Sequence, residues 1–411
     1  MNLPYLSQTP GIGGKLKESA EDFAVEEITA GGEVLVLGKK IRKRGKKGEF
    51  THFVLEKRDW NTVQALKEVA GRLGVGDRRF GYAGTKDRVA ATTQLCSAWG
   101  VPPARLLGLR LKDISISSAW PSDKPVKMGE LLGNRFTITV RGIGKGTKAR
   151  VGKVAKELKG LIPNYFGAQR FGSTRSNTHL VGKMIVAGDV KTAVLSYICA
   201  TDEREMKEAR EARERFAAEG GFHAALHYFP GHLKYERTLL AHLAENKNDY
   251  VGALRRLPRG LSLMFVHAYQ SHIFNGMLAR RVLERRVAPE KGELACPAGA
   301  CGFPVLEKAA PLRTKSGKGK FPVGRIIGYE TESLTYEENA ALAAEGISQK
   351  GFFIKSFPEI SAGGALRPLF VPLRDFRFRA VKGNGKFSFS LPAGAYATVA
   401  MREFMDRKVI K

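Results

Sequence analysis

Apolar and polar side chains alternate with a period of two at both ends of this 411-residue chain but not in its middle, and that pattern constrains the fold most. Near the N-terminus "EDFAVEEI" alternates around Phe23, Val25 and Ile28, and a β-branched run follows at Val34 and Val36. "THFVLEKR", the apolar run from Leu95 to Trp99, "LKDISISSAW" and "NRFTITVRGI" extend the pattern to about residue 145. Such alternation buries one row of side chains and leaves the other outside, so these segments predict strands. One helix is predicted over "NTVQALKEVAGRLG": Asn61 caps it, Val63, Leu66 and Val69 share a face, and Gly71 or Gly74 ends it. β-α-β units with glycine-rich turns do not recur, which argues against a doubly wound sheet.

From about residue 190 to 285 the apolar spacing becomes helical, as in "TDEREMKEAREARERFAAE" and "FVHAYQSHIFNGMLARRVLE". Residues 290 to 330 are rich in Gly, Pro and Lys, including "RTKSGKGKFPVG". The chain then ends in two alternating strands around a Gly-Asn-Gly turn, a Gly-Ala turn and a helix. An α+β fold follows, with both chain ends contributing to one mixed or antiparallel sheet and a second domain inserted between them. The insertion begins after "QRFG" and ends near "RPLFVP".

Lysine and arginine outnumber aspartate and glutamate by 68 to 40, a formal charge of +28. Excess cations on this scale point to a polyanion, because each phosphate neutralised releases condensed counterions. Nucleic acid leads over an anionic membrane surface, since there is neither a basic amphipathic helix nor a long apolar span, and the N-terminus does not read as a leader. A cytoplasmic protein is expected. Cys96 and Cys199 read as buried thiols. "CPAGAC" (Cys296, Cys301) lacks the second half of a zinc site, and His223, His227 and His232 lack a metalloprotease glutamate. No metal is expected. The run "GKKIRKRGKKGEF" reads as a charged loop between strands, either solvated or in contact with phosphate.

Four clusters fall outside the core pattern: "KESAEDF", "GTKDR", "NYFGAQRFG" and "PAGAYATVAMRE". Each sets small residues beside aromatic and charged ones, as a pocket for a flat ligand requires. In "GTKDR", Lys86 and Arg88 flank Asp87 and favour its ionised form, which suits a nucleophile or base; a surface salt bridge would look the same. P-loop, zincin and Ser-His-Asp contexts are missing, so an enzyme acting here is expected to need no cofactor.

"LKESAEDFAVEEI", "YAGTKDRVAATTQ", "NYFGAQRFG", "HAYQSHIFN" and "LPAGAYATVAMRE", in that order, closely resemble the TruD family of tRNA pseudouridine synthases from about residue 14 to 405. The resemblance implies a pseudouridine-synthase-type catalytic domain, residues 1–172 and 371–411, with an α/β domain characteristic of TruD inserted at 173–370. It implies isomerisation of uridine 13 in tRNA, with RNA lying in a basic cleft between the domains. Asp87 falls at the family's catalytic aspartate. Its carboxylate either adds to the uracil ring or sugar, or abstracts a sugar proton while the base departs. The resemblance further implies that Asn164 contacts the base, that Phe166 stacks on uracil, and that Phe23 and Tyr396 line the pocket. Lys17 is a candidate for phosphate or carboxylate pairing, and Lys86 and Arg88 for substrate contact. A monomer is expected. A non-catalytic RNA-binding protein on the same scaffold is the alternative, and Asp87 separates the two.

Overall fold

The structure, a computed structural model, describes residues 3–314 and 317–405; Lys315 and Ser316 of "RTKSGKGKFPVG" lie outside the described residues. The strands are β1 Phe23–Thr29, β2 Phe50–Arg58, β3 Phe80–Tyr82, β4 Ala91–Trp99, β5 Ile114–Ser122, β6 Leu131–Val140, β7 Leu161–Pro163, β8 Leu294–Pro297, β9 Ala310–Pro311, β10 Lys320–Ile326, β11 Ala365–Pro368, β12 Phe370–Pro372, β13 Arg374–Val381 and β14 Asn384–Pro392. The α-helices are α1 Thr62–Leu73, α2 Pro103–Leu107, α3 Thr147–Leu158, α4 Thr178–Val186, α5 Val190–Cys199, α6 Lys207–Glu219, α7 Phe222–Tyr228, α8 Lys234–Glu245, α9 Tyr250–Arg255, α10 Arg259–Leu283, α11 Tyr336–Ala344 and α12 Ala397–Phe404.

The two alternating ends build one mixed sheet in the order β13-β14-β6-β1-β4-β2-β5, with β3 beside β4. Its central pair, β1 and β4, is parallel, and its other pairings are antiparallel. The register aligns Val25 with Thr92 and Phe136, and Phe136 with Phe389. Side chains of a strand alternate between faces, so Val25, Glu27, Thr92, Gln94, Phe136 and Phe389 share one face. On the β2 side α1 covers that face, packing Leu66 and Val69 against Phe53, Leu55 and Cys96. On the β6 and β14 side it is covered by α3 and α12, with Val154, Leu158 and Met401 against Phe136 and Phe389. The strip over β1 and β4 lies between these helical layers.

The predicted helix forms, capped by Asn61, whose side chain accepts from Gln64 N at 2.8 Å, and ended by Gly74 at φ +65° rather than Gly71; Leu66 and Val69 are buried as read, but Val63 is exposed. The expected strand at Val34 and Val36 does not form beyond a single bridge from Val34 to Ile28. The chain turns at Gly32 (φ +83°) and crosses the opposite face of the sheet, where Leu35 packs on Val54 and Trp120. The C-terminal hairpin turns one residue earlier than expected, through Lys382 and Gly383, both at positive φ, which leaves Asn384 in β14. In the charged stretch from 201 to 219 the helix starts only at Lys207, because Glu205 is drawn onto Arg213 and Arg175.

The middle of the chain is helical from α4 to α10 but also carries a four-stranded sheet, β11-β10-β8-β9. Its apolar centre gathers α4, α5, α8 and the first half of α10, including Val181, Val194, Leu240 and Phe265. The second half of α10 places Phe274, Leu278 and Val282 in the core under β6 and β14. β7 and β12 pair antiparallel, so the chain leaves and re-enters this region on adjacent strands. Among the described residues no helix is long and apolar enough to cross a membrane.

Candidate active site

Asp87 belongs to the irregular segment joining β3 to β4, which is laid across the shared face rather than looped out from the edge. Each turn of the segment is fixed by the sheet below. Gln94 Nε2 donates to Gly84 O at 3.1 Å, and Lys86 N donates to Thr62 Oγ1, whose hydroxyl donates to Gln94 Oε1 at 2.9 Å. Lys57 Nζ donates to the carbonyls of Trp60 (2.5 Å), Asp87 (2.9 Å) and Lys86 (3.4 Å). Burial pushes the Lys57 ammonium down to about 8, with the Asp87 charge opposing that shift.

The charge partner of Asp87 is Lys17, whose Nζ donates to Oδ2 at 2.8 Å. Lys17 sits at φ +56°, in the turn before β1, with its ammonium 4.2 Å from the centre of the Phe23 ring. The Asp87 side chain keeps 38% of its surface exposed, which separates it from Glu27 on the same face at 0%. Lys86, read as a substrate contact, is folded beneath the segment and pairs with Glu27 at 2.6 Å, its side chain 4% exposed. A buried lysine with no carboxylate would be strongly disfavoured, so the pair holds it down. Arg88 is exposed, and its side chain pairs with no acid among the described residues. Lys86 is thus taken up by Glu27, and the cation that meets the Asp87 carboxylate comes from 70 residues upstream.

A second group assembles around Phe166. Asn275 on α10 accepts from Phe166 N at 2.8 Å and donates to its carbonyl at 3.0 Å, pinning the backbone as a strand partner would. The Arg367 guanidinium lies 4.0 Å from the Phe166 ring centre, and its Nη2 donates to Asn164 Oδ1 (2.8 Å) and Gly394 O (3.1 Å). Burial pulls Arg367 down to about 10, so it stays charged at neutral pH. Asn164, read as a base contact, is buried and engages both ends of its amide within the protein, since Nδ2 donates to Pro368 O at 2.9 Å. Phe23, read as pocket lining, is a core residue packed edge-on against Phe136. Tyr396 is half-buried, with its ring 6.4 Å from Phe166.

The structure brings these residues together in two groups rather than one. Lys17 joins Asp87 and Phe23 through its ammonium, and Arg367 joins Asn164 and Phe166, with Tyr396 beside the Phe166 ring. Both groups border the core that contains Phe23 and Phe136. β6 and the turn before it run between chain neighbours of the two groups: Gly129 N in the turn donates to Ala83 O at 2.8 Å, and Ala393 N donates to the carbonyl of Leu132 in β6 at 2.9 Å. Reading the sequence missed Lys57, Arg367 and Asn275. Of these, Asn275 alone left a signal, a polar amide on the apolar face of a predicted helix. Among the described residues no group of three or more His, Cys, Asp or Glu side chains could hold a metal.

A mixed sheet with an acid-bearing segment laid over its central parallel pair has the pseudouridine-synthase fold. The model of the family described as tRNA pseudouridine synthase D (TruD) matches residues 2–404, and the chain belongs to that family. It is 36% identical over 432 residues to "Probable tRNA pseudouridine synthase D" of Methanosarcina mazei, covering 98% of this chain and 95% of that protein. The protein of the same description from Methanopyrus kandleri is 40% identical over 368 residues, 88% of this chain and 86% of that one. A crystal structure of the TruD protein from Methanosarcina mazei superposes with a TM-score of 0.80 at 34% identity, covering 98% of this chain and 95% of that one.

Proposed function

We propose that this protein isomerises uridine to pseudouridine in tRNA, at position 13, with Asp87 as the catalytic acid or nucleophile and no cofactor. The observation that carries the reading is the Lys17–Asp87 pair: a half-exposed carboxylate at the β1–β4 strip, held by a backbone that Lys57, Thr62 and Gln94 fix from below. The reaction adds and removes no atoms overall. The C1′–N1 bond breaks, N1 takes a proton, a C1′–C5 bond forms, and C5 gives up its proton. Asp87 either bonds to the nucleoside or removes a sugar proton in the first step, and Lys17 steadies its charge. Phe166 and Tyr396 supply ring faces for the flipped base, offsetting an unstacking cost of a few kcal/mol. The exposed Arg88 adds positive charge for phosphate, and the +28 charge suits an RNA partner.

Residues 1–172 and 371–411 form the catalytic domain and 173–370 the inserted one, a division supported by the β7–β12 pairing on either side of the insertion. The protein acts as a cytoplasmic monomer. The test is incubation with unmodified tRNA transcript, without added metal or nucleotide and with a chelator present, followed by carbodiimide mapping. A stop at position 13 is expected; no pseudouridine in any tRNA offered would overturn the reading in favour of a binding protein.

A further inference from the structure

The cationic run after Gly38 has no part in the site above, and it is not a free loop. Seven of the nine residues from 39 to 47 are Lys or Arg. At its start Leu37 N donates to Glu26 Oε1 at 3.0 Å and Gly38 N to Glu56 Oε1 at 3.2 Å. Ile41 N then donates to Ser118 Oγ at 2.7 Å, with the Ile41 side chain turned onto Leu35 and Trp120. Gly45 and Gly48 lie so close to Pro121 and Ser122 that a Cβ on either would collide with a backbone carbonyl oxygen. These contacts advance along β5 in step with the chain, so the run is a strap fastened parallel to the edge strand of the sheet.

The electrostatics of the strap are lopsided. Lys43 pairs with Glu33 and lies 5.4 Å from the Trp120 ring centre. Arg42, Arg44, Lys46 and Lys47 are exposed, and no acid is recorded against them among the described residues. A mobile tail would let like charges spread apart; this one is clamped at five backbone positions with its charges held together. Fixing them is favourable only where anions gather, and a polyanion gains most from releasing its counterions. The strap exposes no apolar side chain for insertion into lipid, its one aliphatic residue being turned inward, which favours RNA over a membrane. The strap leaves the face opposite Asp87 at the β5 edge, and β5 is separated from β4 by β2 alone, about 10 Å, so RNA seated over the β1–β4 strip meets the strap where its backbone passes round this edge. Resting on the reading of the protein as a tRNA-modifying enzyme, we infer that the strap from Lys39 to Lys47 is a phosphate-binding rail for the tRNA backbone beyond the reacting nucleotide.

The test is a variant with Arg42, Arg44, Lys46 and Lys47 changed to Gln, keeping Ile41, Lys43 and both anchoring glycines, alongside the charge-preserving pair Arg42→Lys and Arg44→Lys. Binding of full-length tRNA is followed from 50 to 200 mM salt, with KM and kcat in parallel. Four lost contacts at about 0.7 to 0.9 each flatten the slope of log affinity against log salt by about 3, so the wild type's advantage shrinks by about sixtyfold across this range. KM rises at low salt, kcat at saturating tRNA holds, and the charge-preserving variant keeps the wild-type slope. Parallel slopes for wild type and the Gln variant would overturn the inference, as would tighter strap-dependent binding to phosphatidylserine vesicles than to tRNA. Because slopes are read from binding, an absence of pseudouridine would count against the enzymatic reading and leave the strap judged separately.

Discussion

The Lys57 ammonium has three donors and meets three backbone carbonyls, which makes it the fastening under Asp87. Lys57→Met leaves those carbonyls without a partner and destabilises the fold by roughly 2 to 5 kcal/mol in urea unfolding. Burial sets the pH response. Below about 8 the folded-state lysine is charged and all three ties are made; above it, the neutral amine has two hydrogens for three acceptors. Turnover therefore falls as pH rises through about 8, and Lys57→Met loses that limb of the kcat profile. For stability the sign is opposite: an unfolded lysine holds its proton to about 10.4, so between about 8 and 10.4 the unfolded state binds more protons and this group's contribution to folding rises with pH. Asp87, Lys17, Phe166 and Tyr396 stood out in the sequence because polar and aromatic residues among glycines fit no core pattern. The pairing of Lys17 with Asp87 could not be read from spacing, since adjacency in the chain pointed to Lys86 and Arg88, and the register of β1 against β4 decides otherwise.

At the scale of elements, α10 ties the two halves of the molecule together. Its first half packs with α4, where Gly182 lies so near the Phe265 carbonyl that any side chain would force the helices apart. Gly182→Val costs about 1 to 3 kcal/mol through overpacking, read as a lowered Tm. Its second half carries Asn275, and Asn275→Ala leaves the Phe166 amide and carbonyl unpaired, with an expected loss of about 2 to 4 kcal/mol and a raised KM for tRNA as the Phe166 ring loosens. The strands and the helix from Asn61 to Gly74 were legible because period and capping are local. The second sheet was not: β8 to β11 each contain a Pro and are set by non-local pairings, the most distant joining Val323 to Pro368.

For the whole molecule, the two ends of the chain make one sheet whose central parallel pair is left open between helical layers, and the acid-bearing segment crosses that opening. On the proposed function Asp87 does chemistry there and is more than an ion-pair partner of Lys17. The most direct measurement compares wild type with Asp87→Asn, which preserves size and most hydrogen bonding, for pseudouridine formation and for tRNA affinity in the same buffer. A catalytic Asp87 means a fall in turnover of at least about a thousandfold with affinity changed less than about threefold. Turnover within about tenfold of wild type, at unchanged affinity, would contradict it and return the segment to the role of a charged turn.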